Sequence, residues 1–353
     1  MRDELQDRAL AGERLTVEEA FEIYRTAELW ELGALADAAR QRRKPGRIVT
    51  YIVDRNINYT NVCDVYCKFC AFYRTARDSD AYVLSLEQID AKIAETVALG
   101  GTQILMQGGH HPDLGIDFYL AMLSHIRERW PGINIHAFSP PEIVHFSRVF
   151  GMPIEEVMTR FREAGWGSLP GGGAEILVDE VRRRIAPRKC TSDEWLRVME
   201  SAHRLGISSS ATMMFGHVET VEHRIEHMRR LRELQDRTGG FTAFIAWTFQ
   251  AENTRLRARP QGACEYLRTQ ALARLFLDNF PNIQASWVTQ GEKIGQLGLK
   301  FGASDLGSLM IEENVVASAG TTHRMTLERM RRLITDIGYE PRQRDNWYNL
   351  IGE

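Results

Sequence analysis

Three observations predict that this chain folds as an α/β protein of the (β/α)8 TIM-type barrel class. Short apolar runs alternate with longer stretches whose apolar residues recur every three or four positions, and about eight such units follow one another. The segments directly after the short runs are polar and glycine-rich, as the mouth of a parallel barrel requires. With 353 residues, 44% apolar and 26% charged, the chain has ordinary globular composition and room for one barrel plus appendages.

Taken in order, Thr16 and Glu19 form a T-x-x-E capping box that opens a helix over 17–27. A second helical stretch runs to Arg43, where Lys44, Pro45 and Gly46 stop it. Strands are expected at 48–56, 103–106, 133–138, 167–169, 208–214, 241–248 and 283–287, with the eighth at either 300–302 or 306–310. Helices are expected between them at 86–99, 117–129, 154–164, 193–205, 221–236 and 264–278. Ile225, Met228, Leu231 and Leu234 illustrate their spacing. The chain thus divides into an N-terminal helical extension (1–46), the barrel (47–320), and a C-terminal helix and tail packed on the barrel (321–353). No solenoid repeat is visible.

Lys and Arg number 44 against 47 Asp and Glu, a net charge of −3, so no basic field gathers nucleic acid or an anionic membrane. The longest stretch without a charged residue, 96–112, holds four glycines, a proline and two histidines and cannot span a bilayer. The first fifteen residues are charged throughout and lack a signal peptide's apolar region, so a cytoplasmic location is expected. The five cysteines suit thiolate chemistry better than disulfides, because they are odd in number and three fall within eight residues.

Those three are Cys63, Cys67 and Cys70, in the segment NVCDVYCKFCAFYR at 61–74, directly after the first strand. Three thiolates on one loop can converge on a soft metal centre, and on a 4Fe-4S cluster they leave one iron open to chelation. The competing reading is a zinc site completed by His110 or His111. Cys190 and Cys264 lie on or before outer helices and read as ordinary thiols.

Cysteines spaced C-x3-C-x2-C, with Phe69 before the last, resemble the radical S-adenosylmethionine superfamily. The resemblance runs from about Leu15 to Tyr348. HAFSPPEI at 136–143, PGGGAEIL at 170–177, ATMMFGHVET at 211–220, GGFTAFIAWTFQAENT at 239–254 and GASDLGSLMIEENVV at 302–316 resemble its menaquinone-pathway and deazaflavin-synthase branch. Trp247, Thr248, Phe249 and Gln250 resemble the members that cyclise dehypoxanthine futalosine. Other members of the branch join an adenosyl radical to an enolpyruvyl benzoate, or act on tyrosine and a pyrimidine. The resemblance implies a radical SAM barrel holding a 4Fe-4S cluster and S-adenosyl-L-methionine. It also implies an electron donor such as a flavodoxin or ferredoxin, and a 5′-deoxyadenosyl radical that takes hydrogen from ribose C4′ so that this carbon bonds to the benzoate ring.

The same resemblance distributes roles. Cys63, Cys67 and Cys70 hold the cluster; Phe69 lies beside the adenine; Gln107, Gly108 and Gly109 receive the methionine amino group. Glu142 and Glu175 are carboxylates for ribose hydroxyls or the cofactor's ammonium, with helix N-terminal charge as the rival reading. His217 and Glu219 are candidates for the proton released on rearomatisation, with a structural pair at a helix start as the rival. Tyr73 is a third catalytic candidate. Arg74 suits the benzoate carboxylate. Trp247, Asn253, Thr254, Ser286 and Asp305 complete the substrate candidates.

Other motifs carry no chemistry. His223 and His227 are spaced like a zinc pair, but Arg224 stands where a general base is needed, and a solvated helix face is expected. PGGGAE lacks dinucleotide spacing. The basic run 40–47 reads as a solvated helix end.

Overall fold

Side-chain alternation along the strands shapes the computed structural model, which describes residues 2–352. In β3 (Gln103–Met106), Ile104 and Met106 are fully buried against the helices, whereas Gln103 and Leu105 face the lumen. In β5 (Ser209–Phe215), Ala211, Met213 and Phe215 point outward, and Ser210, Thr212 and Met214 point in. The apolar core therefore lies between strands and helices.

The strands are β1 (Ile48–Ile52), β2 (Asp54–Ile57), β3, β4 (Asn134–Ala137), β5, β6 (Phe241–Thr248), β7 (Ile283–Gln284), β8 (Asp305–Ser308) and β9 (Glu340–Gln343). β2, β3 and β4 pair in parallel, as do β5 through β8, and β8 pairs with β1. Single bridges, His136 to Ser168 and Leu169 to Ser209, join the two ladders and close the ring. The expected strand at 167–169 is thus reduced to two pairing residues. The seventh strand is shorter than the expected 283–287. The eighth follows the 306–310 alternative, since 300–302 forms a turn with Gly302 at φ +90°.

The expected first strand is split at Val53. β1 pairs with β8 on one edge and β9 on the other, in register from Ile48 with Glu340 to Tyr51 with Gln343, whereas β2 pairs with β3. The C-terminal segment thus supplies a strand as well as the helix Leu327–Thr335. Beyond β9 the chain turns tightly. Asp345 accepts the N–H groups of Trp347 and Asn349 at 2.8 and 2.9 Å, and Ile351 N–H returns to the Gln343 carbonyl at 2.9 Å.

Arg344 opens that turn and reaches the N-terminal ends of the strands. Its Nε and Nη2 donate to the Asp305 carboxylate at 2.6 and 3.0 Å, and Thr50 Oγ1 donates to the same carboxylate at 2.5 Å. Asp305 was a sequence candidate for sugar binding; here it is wholly buried and spent on this closure.

At the other end of the chain, the capping box forms, with Thr16 N–H to Glu19 Oε2 at 2.8 Å and Glu19 N–H to Thr16 Oγ1 at 3.2 Å. It opens the helix Val17–Thr26, which is followed by Leu29–Arg43; an unexpected helix, Arg2–Ala11, precedes both. The solvated reading of the basic run fails at Arg40, which is buried, bonded to Asp37 and stacked 4.7 Å over the Tyr339 ring. It fails likewise at His227, fully buried with Nδ1 accepting the Leu177 N–H at 3.0 Å. Among the described residues no helix is long and apolar enough to cross a membrane.

Replacing Arg344 by Met would leave the Asp305 carboxylate buried and unpaired, so urea denaturation of Arg344→Met should show a loss of about 3–5 kcal/mol.

Candidate active site

The loop 61–74 leaves the top of β2 and is fastened on every side. Cys63 N–H reaches the Arg74 carbonyl at 2.9 Å, and Arg74 N–H returns to Asn61 at 2.7 Å. Lys68 binds Ile185 and Arg255 through its backbone at 2.8 and 2.9 Å. Tyr66, at φ +53°, makes the left-handed step inside the loop. Cys63, Cys67 and Cys70 all border one cavity of about 410 Å³ that runs down the lumen.

Nearby backbone N–H groups, of Val65 and His110 for Cys63 and of Phe72 and Tyr73 for Cys70, favour the thiolate forms. Burial pushes all three thiols up, Cys67 to about 12, against the nearby Lys189 cation. Buried thiols of this kind shed protons to a metal rather than to water. Three cysteines on one braced loop, all bordering one cavity, fit a cluster with one open iron.

The neighbouring loops form the mouth. A Cβ on Gly109 would lie 2.1 Å from the Val62 carbonyl, and one on Gly108 would lie 2.5 Å from the Tyr59 ring, so this segment must be glycine to pass under the cysteine loop. Gln107, beside them, also lines the cavity. Glu142 is buried, and its hydrogen bonds are spent within the chain. Tyr59 and the Gly108 N–H donate to Oε1 at 2.6 and 3.0 Å, and Ser139 donates twice to Oε2 at 2.7 Å. Glu142 thus caps its helix and anchors Gly108, and it also borders the cavity.

Glu175 faces the cavity and pairs with Lys189 Nζ at 2.6 Å. Burial pushes its carboxyl up, and the lysine outweighs that, holding it below its ordinary value. Lys189 also stands 5.1 Å over the Phe69 ring, which ties the cysteine loop to the glycine-rich loop 170–175. Nothing in the sequence separated Lys189 from Arg183, Arg184 or Arg188.

Tyr73, Trp247 and Ser286 line the cavity as well; six other candidates do not. His217 and Glu219 have fully buried side chains. His217 Nε2 bonds the Met214 carbonyl at 3.1 Å, while Glu219 accepts from Gly216 N–H, His217 N–H and Arg224 Nε at 2.7, 2.9 and 2.9 Å. They form the structural pair of the rival reading, and Arg224 extends it to Glu265 and Tyr24. Arg74 spends its guanidinium on Asp80 and on the carbonyls of Ala71, Phe72 and Tyr73, bracing the loop instead of meeting a substrate carboxylate. Asn253 bonds the Ser318 carbonyl, and Thr254 bonds those of Ala251 and Leu256. Asp305 closes the barrel below.

Of the alternative metal ligands, His110 borders the same cavity but its ligand atoms group with those of Asp64 and His145 and not with the three thiols, and His111 Nδ1 accepts the Asp113 N–H at 3.2 Å.

Residues 57–231 match the radical SAM superfamily model, and 238–352 match the CofH/MqnC C-terminal region. The chain is 46% identical over 350 residues to a cyclic dehypoxanthine futalosine synthase of Halalkalibacterium halodurans, covering 99% of this chain and 95% of that one. It is 49% identical to the Streptomyces coelicolor protein of that name, covering 98% and 88%. It is 44% identical to a 5-amino-6-(D-ribitylamino)uracil–L-tyrosine 4-hydroxyphenyl transferase of Archaeoglobus fulgidus, covering 91% and 94%. Its fold matches the crystal structure of a methylornithine synthase with TM-score 0.74 at 18% identity, over 96% and 97% of the two chains.

Anaerobic reconstitution should load about four iron and about four acid-labile sulfide per chain, and Cys67→Ala should reduce both to near zero with an unchanged circular dichroism spectrum. A chain that takes up zinc without sulfide contradicts the cluster.

Proposed function

The chain belongs to the radical SAM superfamily, and from that membership we propose that it cyclises dehypoxanthine futalosine to cyclic dehypoxanthinyl futalosinate. The near-full-length likeness to two cyclic dehypoxanthine futalosine synthases carries the choice of reaction. The cluster and S-adenosylmethionine, when bound, supply the 5′-deoxyadenosyl radical that removes hydrogen from ribose C4′.

The chain's own residues hold, orient and enclose. In this reading Cys63, Cys67 and Cys70 are the cluster ligands, and Gln107, Gly108 and Gly109 receive the methionine end of the cofactor. Phe69, under the Lys189–Glu175 pair, would flank the adenine. Tyr73, Trp247 and Ser286 bound the substrate. With so much of the lumen walled by protein, stray hydrogen donors and water are kept from the substrate radical. Joining C4′ to the benzoate ring removes one hydrogen atom from each carbon. One leaves in 5′-deoxyadenosine, and the other leaves as a proton plus an electron that makes good the one spent in cleaving S-adenosylmethionine, so the product is two hydrogens lighter than the substrate and the cofactor, cleaved to methionine and 5′-deoxyadenosine, is the net oxidant. An outside one-electron donor starts the cycle.

Under anaerobic reduction, dehypoxanthine futalosine deuterated at C4′ should give that lighter product and 5′-deoxyadenosine carrying the deuterium. An adenosyl adduct of an enolpyruvyl benzoate, or a hydroxybenzyl adduct formed from tyrosine and a ribitylaminouracil, would assign the chain to another reaction.

A further inference from the structure

β4 turns His136 into the lumen, where it borders the cavity in register with Leu105 of β3. Leu105 precedes Gln107 by two residues, so the imidazole stands one inward-facing step, about 7 Å, below the segment that receives the methionine end of the cofactor.

A relay of side chains fixes what this ring presents. Ser308 Oγ and Gln103 Nε2 donate to the Asp54 carboxylate, the second at 2.9 Å. With its amide nitrogen turned to Asp54, Gln103 offers Oε1 to Asn134 Nδ2 at 2.9 Å, and Asn134 Nδ2 spends its other hydrogen on Ser168 Oγ at 2.9 Å. Ser168 therefore accepts from Asn134, and its own hydrogen is left for His136 Nδ1, 2.7 Å away. An accepting Nδ1 puts the ring's proton on Nε2. Burial, with the Arg344 cation acting in the same sense, pushes the imidazole down to about 3, so the ring stays neutral.

His136 Nε2 has no hydrogen-bond partner among the described residues and, unlike the partnerless Oδ1 of Asn56, it is not sealed from the cavity. A relay that ends in an unused N–H describes a donor held for an acceptor that arrives with the substrate.

The reaction selects that acceptor. C4′ must lie against the cofactor at the mouth, and the ribose hydroxyls stay with the sugar carbons around it. The benzoate ring must bring one of its carbons to C4′, which leaves the carboxylate, across the ring, as the oxygen group that extends a step lower. Leu105 offers the ring an apolar wall at that level. The cations bordering the cavity are already taken, Lys189 by Glu175 and Arg344 by Asp305, and Arg74 is spent within its own loop.

Resting on the function proposed above, we propose that His136 donates its Nε2–H to the benzoate carboxylate of the substrate, with Asp54, Gln103, Asn134 and Ser168 as positioning residues that hold its tautomer. Calorimetric titration of the reconstituted, unreduced full chain in the presence of S-adenosylmethionine tests it. His136→Leu should weaken dehypoxanthine futalosine binding about tenfold or more, because a hydrogen bond to a charged group is lost. His136→Gln, whose amide can donate in its place, should recover most of that loss, with iron content and cofactor affinity unchanged in both variants. An analogue with hydrogen in place of the carboxylate should bind the parent more weakly by the same factor and bind His136→Leu as well as it binds the parent. In the 15N spectrum of the histidine-labelled chain, His136 should be protonated on Nε2, and Ser168→Ala should bring in the Nδ1-protonated form. His136→Leu binding like the parent, or weakening the carboxylate-free analogue as much as the substrate, overturns the proposal while the function stands. So does a parent His136 protonated on Nδ1, or a tautomer that Ser168→Ala leaves unchanged. A parent that neither binds nor converts dehypoxanthine futalosine overturns the functional reading and this role together.

Discussion

The bidentate pair between Arg344 and Asp305, joined by Thr50, is the constraint on which the architecture rests. A barrel is ordinarily held from within by layers of branched apolar side chains. Here the lumen carries Asp54, Asn56, Gln103, His136, Ser210, Thr212 and Gln284 on its wall, so that internal packing is forfeited. Stability must come from the apolar layer between strands and helices and from a seal at the open end. The pair ties the first strand, the eighth strand and the C-terminal turn at one point. A hollow interior is possible because its closure is supplied from outside the ring.

At the opposite end, the mouth is built from groups that satisfy one another. Glu142 holds Gly108 against Tyr59, and Lys189 joins Glu175 to the face of Phe69. Buried carboxylates paired in this way fix loop positions without depending on a ligand. The cysteine loop is braced by Arg74 in the same manner. The chain's own side chains thus fix the positions of the mouth loops, as radical chemistry with a short-lived intermediate requires.

Much of this was legible in the sequence. Period-two and period-3.6 patterns located the ring and its helices, and three cysteines on one loop located the cluster. Legibility failed where direction mattered more than position. His217, Glu219 and Arg74 do sit in mouth loops, but outside a strand no alternation tells which way a side chain points, and each turns into the protein to meet a backbone group. Asp305 lies on a strand, yet its partner is 39 residues away in a segment read as a tail. The split at Val53 was hidden for the same reason: what divides the strand is β9, arriving from a distant part of the chain to pair with its first half. Lys189 became visible only beside Glu175.

That long-range pairing also orders events in time. Ile48 and Glu340 are register partners although almost the whole chain separates them, and the loop entropy of bringing such distant segments together is met only late in folding. During vectorial synthesis the cysteine loop and the upper ladder of β2, β3 and β4 emerge early, while the lower half of the first strand waits with one edge unpaired. The nascent barrel thus has an open base until β9 and the turn after it leave the ribosome, and only then can the ring close below.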